Sequence, residues 1–531
     1  MFALRKVGRA SPALVQHANK MMAVRGLSGA EYKDPRGDMF SMTKVVGTIG
    51  PTSEQLDVLQ KLTNEGLRIM RMNFSHATYE EATLRMTNLR KCRGVHSHGH
   101  GRDYNLRAVL LDTQGPEIRC GKMEGDEKIV LEAGKQVIVT TDTEFETNGS
   151  SDKFYCNYAK LGETVKPGDT ILLDDGLIRL TVDTIDGKDV SCTIQNTEKL
   201  GNRKGINLPG LCVDLPGLTD KDREDIAFGV KNDVDFVAAS FIRRPSDVLE
   251  MRSFIDEQMA KHWPSSHPAP KIISKIENYE GVSNFDEILK VSDGIMVARG
   301  DLGVEIPIQK VLSSQKMMVQ KCNQAGKPVI VATQMLESMI KNPRPTRAEV
   351  ADVGNAVLEG ADAVMLSGEV AYGDYPVESV ETMMSVIKEA DTLIEDGSFV
   401  NFDVPLPEAF TDSEAVASSA VKMAHELDAK LIIVMTGSGD TARLVAKHKP
   451  RVPVMAFADS QKVGRQLQLH RALFPIVAHN PSDGRPIYNE AIEQAKDLGW
   501  IQKNDRVIVL SAEEETSHLD EQILLRVATA Q

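Results

Sequence analysis

The chain has 531 residues, 41% apolar and 26% charged, which is too long for a single hydrophobic core and ordinary for a multi-domain globular protein. Its net charge of −14 argues against non-specific binding to nucleic acid or anionic membrane, so an anionic ligand needs a local basic pocket. No stretch approaches 18 uncharged apolar residues, which excludes a spanning helix by pattern, and the six cysteines form no CxxC pair. The scattered thiols read as free in a reducing compartment, with neither a zinc site nor a disulfide framework indicated.

The first segment, residues 1–41, differs from the rest. Arg5, Lys6, Arg9, Lys20 and Arg25 interleave with Leu, Val and Met, and the first carboxylate is Glu31. That is the pattern of a mitochondrial transit peptide, with Arg25-Gly26-Leu27-Ser28 suited to matrix processing. The reading is a matrix protein, the alternative a basic tail on a cytoplasmic one.

From residue 42, short β-branched runs alternate with amphipathic helices. The strand candidates are 43–50, 66–74, 107–114, 235–242, 271–278, 294–301, 327–335 and 361–368. Near-continuous apolar runs such as VVGTI and VIVAT suit parallel strands buried on both faces. Helices at 53–66 and 219–233 each open on Ser or Thr followed by acids, an N-cap signature. Eight such units predict a (β/α)₈ TIM barrel over 42–115 and 218–395. The strands end in Asn73, Asp112, Ser240, Glu277, Asp301, Thr333 and Ser367, at the face where such barrels carry their active site.

The third strand has no following helix. Residues 116–217 carry short alternating stretches broken by Gly and Asp, which predicts an inserted all-β lid domain of barrel form over the mouth. From 396 to 531 the α/β pattern restarts, with a helix at 486–498 and a mostly parallel sheet.

Lys275 and Glu277 are two apart on one strand and share a face, while Asp301 ends the next strand candidate. Singly each reads as a structural ion pair; together at one mouth they make an oxygen site for Mg²⁺ beside a lysine. Arg71 offers a fixed guanidinium for phosphate. Asn73 and Ser75 are either turn formers or, with Asp112 and Thr113, neutral and charged oxygens for a second cation. Thr333 is a capping threonine or a hydroxyl handle for a proton, and His76 stays open on the residues alone. Thr436, Ser438 and Thr441 in the TGSGDTAR loop precede a helix, either as a tight turn or as an anion site for a small phosphorylated ligand.

The segments KVVGTIGPTS, RMNFSH, LDTQGPEIR, GINLPG, KIISKIEN, ARGDLGVEIP, ATQMLESM and NPRPTRAEVADVGNAVLEGADAVMLSGE resemble the pyruvate kinases, from about residue 42 to the C-terminus. The resemblance implies transfer of the phosphoryl group of phosphoenolpyruvate to ADP, giving pyruvate and ATP, with Mg²⁺ and K⁺ as cofactors and a homotetrameric assembly. By position, Glu277 and Asp301 match the Mg²⁺ ligands. Lys275 matches the catalytic lysine and Arg71 the phosphate clamp, with Gly300 and Thr333 in the carboxylate pocket. Asn73, Ser75, Asp112 and Thr113 match the K⁺ ligands, and Asn73, His76, Arg119 and Lys204 the nucleotide contacts. Glu117 and Thr113 suit the potassium-dependent members, whereas Gln114 stands where many of them carry lysine. The effector loop has Gly437 and Asp440 at places that are often basic, and Glu513, Glu514 and Glu515 are acidic where sugar-bisphosphate-regulated members are basic. That composition argues against fructose 1,6-bisphosphate and leaves another phosphorylated effector open.

Overall fold

The computed structural model describes residues 41–93, 105–395, 411–477, 487–513 and 522–530. The basic N-terminal segment before residue 41 and the acidic residues Glu514 and Glu515 lie outside them.

Eight parallel strands close into a barrel, in order Lys44–Thr48, Leu67–Asn73, Ala108–Asp112, Phe236–Ala239, Lys271–Ile276, Gly294–Ala298, Val329–Ala332 and Ala363–Leu366. The last strand pairs back onto the first, with Lys44 opposite Ala363. Alternation of side chains sends one residue inward and the next outward. Val46, Ile69, Leu110, Phe236, Ile273 and Met296 therefore pack the lumen, while Val45, Met70, Leu111 and Val237 join the larger core under the helices. Both sets are buried, which is why these strands read as unbroken apolar runs.

Helix Asp220–Lys231 starts as its sequence predicts, with Thr219 and Asp222 forming a capping box. The helix predicted from Ser53 begins later, at Leu56, with no side-chain cap. The Ser53 hydroxyl instead accepts from Gly50 N at 3.1 Å, closing the turn that follows the first strand. Asp301, placed by the pattern at a strand end, lies one step beyond it. The strand stops at Ala298, and Asp301 sits in the first turn of helix Arg299–Glu305, where a carboxylate complements the helix dipole.

The lid enters between the third and fourth barrel strands, which still pair directly, Leu110 opposite Phe236. Its stem is paired as well, with Ile206 N donating to Ile118 O at 2.8 Å. The lid is a six-stranded sheet with a separate two-stranded ribbon around its own core, which includes Phe154, Leu180 and Cys192, and residues 118–121 bridge the two end strands of that sheet, Cys120 N donating to Lys204 O at 2.9 Å and Gly121 N to Tyr155 O at 3.1 Å.

The C-terminal domain has a five-stranded sheet, four strands parallel and the last, Gln522–Thr529, antiparallel. The predicted final helix spans Ile487–Asp497. This domain docks on the barrel floor through buried charge pairs, Arg465 to Asp235 at 2.8 Å and Lys449 to Asp362 at 3.1 Å. Met42, expected to open the barrel, is buried in the C-terminal core, and its carbonyl accepts from Ala472 N at 2.9 Å. No helix among the described residues is long and apolar enough to cross a membrane.

Candidate active site

Four strand ends converge on Lys275 at the barrel mouth. Its ammonium lies 3.0 Å from Asp112 Oδ1, 3.0 Å from Glu277 Oε1 and 2.7 Å from Ser240 Oγ. Burial alone would lower its pKa, but the Asp112 and Glu277 carboxylates outweigh burial and raise it. Asp112 takes Arg71 on its other oxygen, Nε to Oδ2 at 2.6 Å, and Arg71 Nη1 donates to Thr48 Oγ1 at 2.9 Å. Burial would lift the Asp112 carboxyl, yet Arg71 and then Lys275 hold it below the usual range. The result is a fixed guanidinium and a fixed ammonium sharing one buried carboxylate.

Glu277 and Asp301 are different. Burial raises both pKa values, Lys275 opposes that rise in each, and the Asp301 charge raises Glu277 further. Glu277 is buried and Asp301 half-buried, and two carboxylates that reach each other with the one Lys275 ammonium beside them have negative charge in excess. Their oxygen-only donor set fits Mg²⁺, which takes one or two protein carboxylates and completes its shell with water and phosphate oxygens. Phe241, at φ 55°, aims its backbone N–H at Glu277 Oε2 at 2.6 Å and so fixes that carboxylate.

Asn73 and Asp112 sit opposite each other in the ladder. Asn73 Oδ1 accepts from Ser75 N at 3.2 Å, and Thr113 Oγ1 donates to Ala238 O at 3.3 Å and accepts from Ser240 N at 3.2 Å. These oxygens cluster on adjacent strand ends, and hard oxygens alone suit an alkali cation.

Thr333 and Gln334 follow their strand with φ of 74° and 56°, a left-handed pair that a β-branched residue adopts only when held there. Arg299 does the holding. Its Nη2 donates to Thr333 O at 2.7 Å, its Nε to Ala332 O at 3.1 Å, and Asp352 fixes the guanidinium from behind at 2.7 Å. Gly300 lies against the same threonine: a Cβ there would stand 2.8 Å from Thr333 Cγ2.

Between lid and mouth is a cleft of about 300 Å³ lined by His76, Glu117, Arg119, Asp174, Lys204 and Asp301, among others. Arg119 pairs with Glu117 and donates to Arg203 O at 2.8 Å, while Lys204 pairs with Asp174 at 2.8 Å. His76, Arg119 and Lys204 thus meet in one cleft, whereas Asn73 stays at its strand end and is not part of the lining. Arg299, Phe241 and the catalytic-side role of Ser240 escaped the sequence reading. Ser240 carried a signal as a polar strand end; Phe241 acts through its own N–H and the Arg299 guanidinium on main-chain carbonyls, and neither left one.

In the C-terminal domain the expected anion loop is closed on itself. Thr436 Oγ1 accepts from Gly439 N at 3.0 Å, and Ser438 Oγ donates to Asp440 Oδ2 at 2.6 Å. Arg443 pairs with Asp440 at 2.5 Å, and Thr441 lies in the first turn of helix Asp440–Lys447. The loop's own carboxylate therefore occupies the helix N-terminus with Arg443 as its counter-ion.

Residues 40–380 match the family model described as the pyruvate kinase barrel domain, and residues 414–520 that of its alpha/beta domain. The chain is 45% identical over 469 residues to a pyruvate kinase of Staphylococcus epidermidis, covering 88% of this chain and 77% of that one. It is 43% identical over 495 residues to a pyruvate kinase of Trypanoplasma borreli, covering 91% and 95%. The crystal structure of a pyruvate kinase from Cryptosporidium parvum superposes with a TM-score of 0.84 at 39% identity, covering 92% of this chain and 96% of that one. With this site at the mouth of this barrel, the chain belongs to the pyruvate kinase family and is a phosphotransferase of that kind.

Proposed function

We propose that the protein transfers the phosphoryl group of phosphoenolpyruvate to ADP, forming pyruvate and ATP as the final step of glycolysis, with Mg²⁺ and K⁺ as cofactors. The observation that carries this reading is the buried Lys275 ammonium, fixed within 3.0 Å of both Asp112 and Glu277 and flanked by Arg71. Phosphoryl transfer needs positioning and charge neutralisation more than covalent chemistry. Arg71, locked by Asp112 and Thr48, holds the phosphate of the donor without moving. Lys275 faces the transferring group and stabilises the enolate oxygen left behind. Bound between Glu277 and Asp301, Mg²⁺ would neutralise phosphate charge, and K⁺ beside Asn73, Ser75, Asp112 and Thr113 would add to that field. Thr333, held at the opposite wall with Gly300, receives the substrate carboxylate and lies where the enolate gains its proton. Arg119 and Lys204 bring lid charges to the nucleotide phosphates, and closure of the lid keeps water from intercepting the phosphoryl group.

The homotetramer, a phosphorylated effector in the C-terminal domain and residence in the mitochondrial matrix belong to the same proposal. ADP-dependent pyruvate formation, measured with and without each cation, tests the reaction; no pyruvate with both cations present would sink it. N-terminal sequencing of the mature protein tests the address: a start at Ser28 is expected, and a retained Met1 removes the support for import.

A further inference from the structure

Two of the six cysteines face each other beside the stem of the lid, where Cys120 and Cys156 form an antiparallel bridge. They do not bond to each other through the main chain: Cys120 N donates to Lys204 O at 2.9 Å and Cys156 N to Thr140 O at 2.7 Å. The bonds on either side join the strands, Gly121 N to Tyr155 O and Asn157 N to Arg119 O, both at 3.1 Å. That is the non-hydrogen-bonded pair of an antiparallel ladder, whose Cα atoms stand about 4.5 Å apart with both side chains on one face. A disulfide takes Cα separations of about 4.4–6.8 Å, so the backbone already meets its demand. Both side chains enter the lid core, Cys120 4% and Cys156 0% exposed. Among the described residues no second pair is so placed. Cys192 faces Val137 and Val182, Cys92 caps one helix, Cys322 lies in another, and Cys212 is exposed in a loop.

In the reduced form the Cys120 sulfur has other partners. It accepts from Lys204 N at 3.1 Å and donates to Gly201 O at 3.6 Å. It thereby anchors the turn 201–204, which brings Lys204 to the cleft, and Arg119 grips the same turn through Arg203 O at 2.8 Å. Cys156 lies on the opposite flank of Cys120, so bonding to it requires the sulfur to rotate about χ1 and leave the turn. Burial raises both thiols, Cys156 to about 12, so at neutral pH they stay protonated and react slowly. Residues 119 and 120 are held by isolated bridges instead of a full ladder, which lets them open locally and expose the pair.

We propose that Cys120 and Cys156 are a reversible redox pair, oxidised to a disulfide by a low-molecular-weight disulfide such as glutathione disulfide. One cysteine thiolate attacks the reagent and forms a mixed disulfide, and the released glutathione thiolate takes up the proton that the cysteine lost. The second cysteine displaces the remaining glutathione in the same way. The lid loses two electrons, and one glutathione disulfide becomes two glutathiones. In a reducing compartment the pair rests as two thiols and responds when the glutathione pool is oxidised. With its sulfur drawn to Cys156, the turn 201–204 loses an anchor and Lys204 its fixed place. The oxidised enzyme therefore holds ADP more weakly, a consequence that rests on the nucleotide role proposed for Lys204.

The full-length enzyme, equilibrated in glutathione buffers from reducing to oxidising, then alkylated and digested, is read by mass spectrometry. Expected is a peptide pair joined through Cys120 and Cys156, lighter by two hydrogens, formed in oxidising buffer and lost with dithiothreitol. In step with it, KM for ADP should rise at least about threefold while KM for phosphoenolpyruvate stays within about twofold. Cys156→Ala, first shown to melt cooperatively, should keep the reduced kinetics and lose the response to oxidation. Cys120→Ser should also lose the joined peptide, which keeps the test open if the buried Cys156 variant folds poorly. Cys212→Ser should keep both peptide and response. No joined peptide in the most oxidising buffer, or Cys120 and Cys156 joined to other cysteines instead, would overturn the pair. A joined peptide with an unchanged KM for ADP would overturn its effect on the lid. The peptide readout does not depend on turnover, so a protein that forms no pyruvate would fail the proposed reaction and not the pair.

Discussion

Replacing Arg299 by methionine tests whether the strained Thr333 backbone is held from outside or set by its own loop. Arg299 is nearly buried, 13% exposed at its side chain, and donates to two main-chain carbonyls, Ala332 and Thr333. Each such charged bond contributes about 1.5–3 kcal/mol. The Asp352 pair is more exposed, and we discount it to about 1 kcal/mol. Against that, letting a β-branched residue leave a φ of 74° releases about 1–3 kcal/mol. The balance is a stability loss of about 1–6 kcal/mol, smaller than the sum of the bonds because strain is relieved. Function should suffer more. A displacement of about 1 Å at the substrate wall lowers rate by up to about a hundredfold. We therefore expect kcat/KM for phosphoenolpyruvate to fall about ten- to a hundredfold in Arg299→Met, with an intermediate loss in Arg299→Lys, whose single ammonium cannot reach both carbonyls and Asp352. Urea unfolding and steady-state kinetics read the two effects. A variant that loses stability yet keeps kcat/KM within twofold would show that Thr333 keeps its place unaided.

Lys275→Met should lower kcat by about a hundred- to a thousandfold while Mn²⁺, read by electron paramagnetic resonance, still binds at Glu277 and Asp301; equal turnover would remove the lysine from the chemistry. Gly300→Ala drives a methyl to 2.8 Å from Thr333 Cγ2, and Arg299 prevents the threonine from yielding, so KM for phosphoenolpyruvate should rise about tenfold with little change in the melting temperature. His470 gives a pH test. Its folded pKa, about 3, lies below the ordinary 6.5, so as pH falls below 6.5 the unfolded chain takes up a proton that the folded chain refuses. Stability is then lost on the acid side, by about 2 kcal/mol from this group between pH 7 and pH 5. Urea midpoints at the two pH values should converge in His470→Gln, and an unchanged difference would refute the assignment.

Much of the site was legible because it consists of charged or hydroxylated residues at the ends of apolar runs. Lys275 and Glu277 share a face by simple alternation, and Asn73 and Asp112 were readable as neighbours once the second and third strands were placed. Asp301 was displaced by one local event, the strand giving way to a helix at Arg299, which an apolar pattern does not mark. Met42 defeated the reading for a longer-range reason: an apolar residue beside a strand says it is buried, not against which domain. Phe241 and Arg299 were invisible because one offers only an N–H and the other reaches Thr333 only through main-chain carbonyls.

The paired stem of the lid also bears on how the chain reaches its native form. Asp112 and Phe236, on adjacent barrel strands, are roughly 120 residues apart along the chain, a long loop to close. With Ile118 and Ile206 already joined in the stem, the effective loop shrinks to roughly 40 residues, easing closure by about 1 kcal/mol. The lid emerges during synthesis before the fourth barrel strand and has its own core. A lid that folds first acts as a staple for the unfinished barrel, so substitutions in its stem should slow refolding in stopped-flow even where they leave the finished enzyme's stability nearly unchanged.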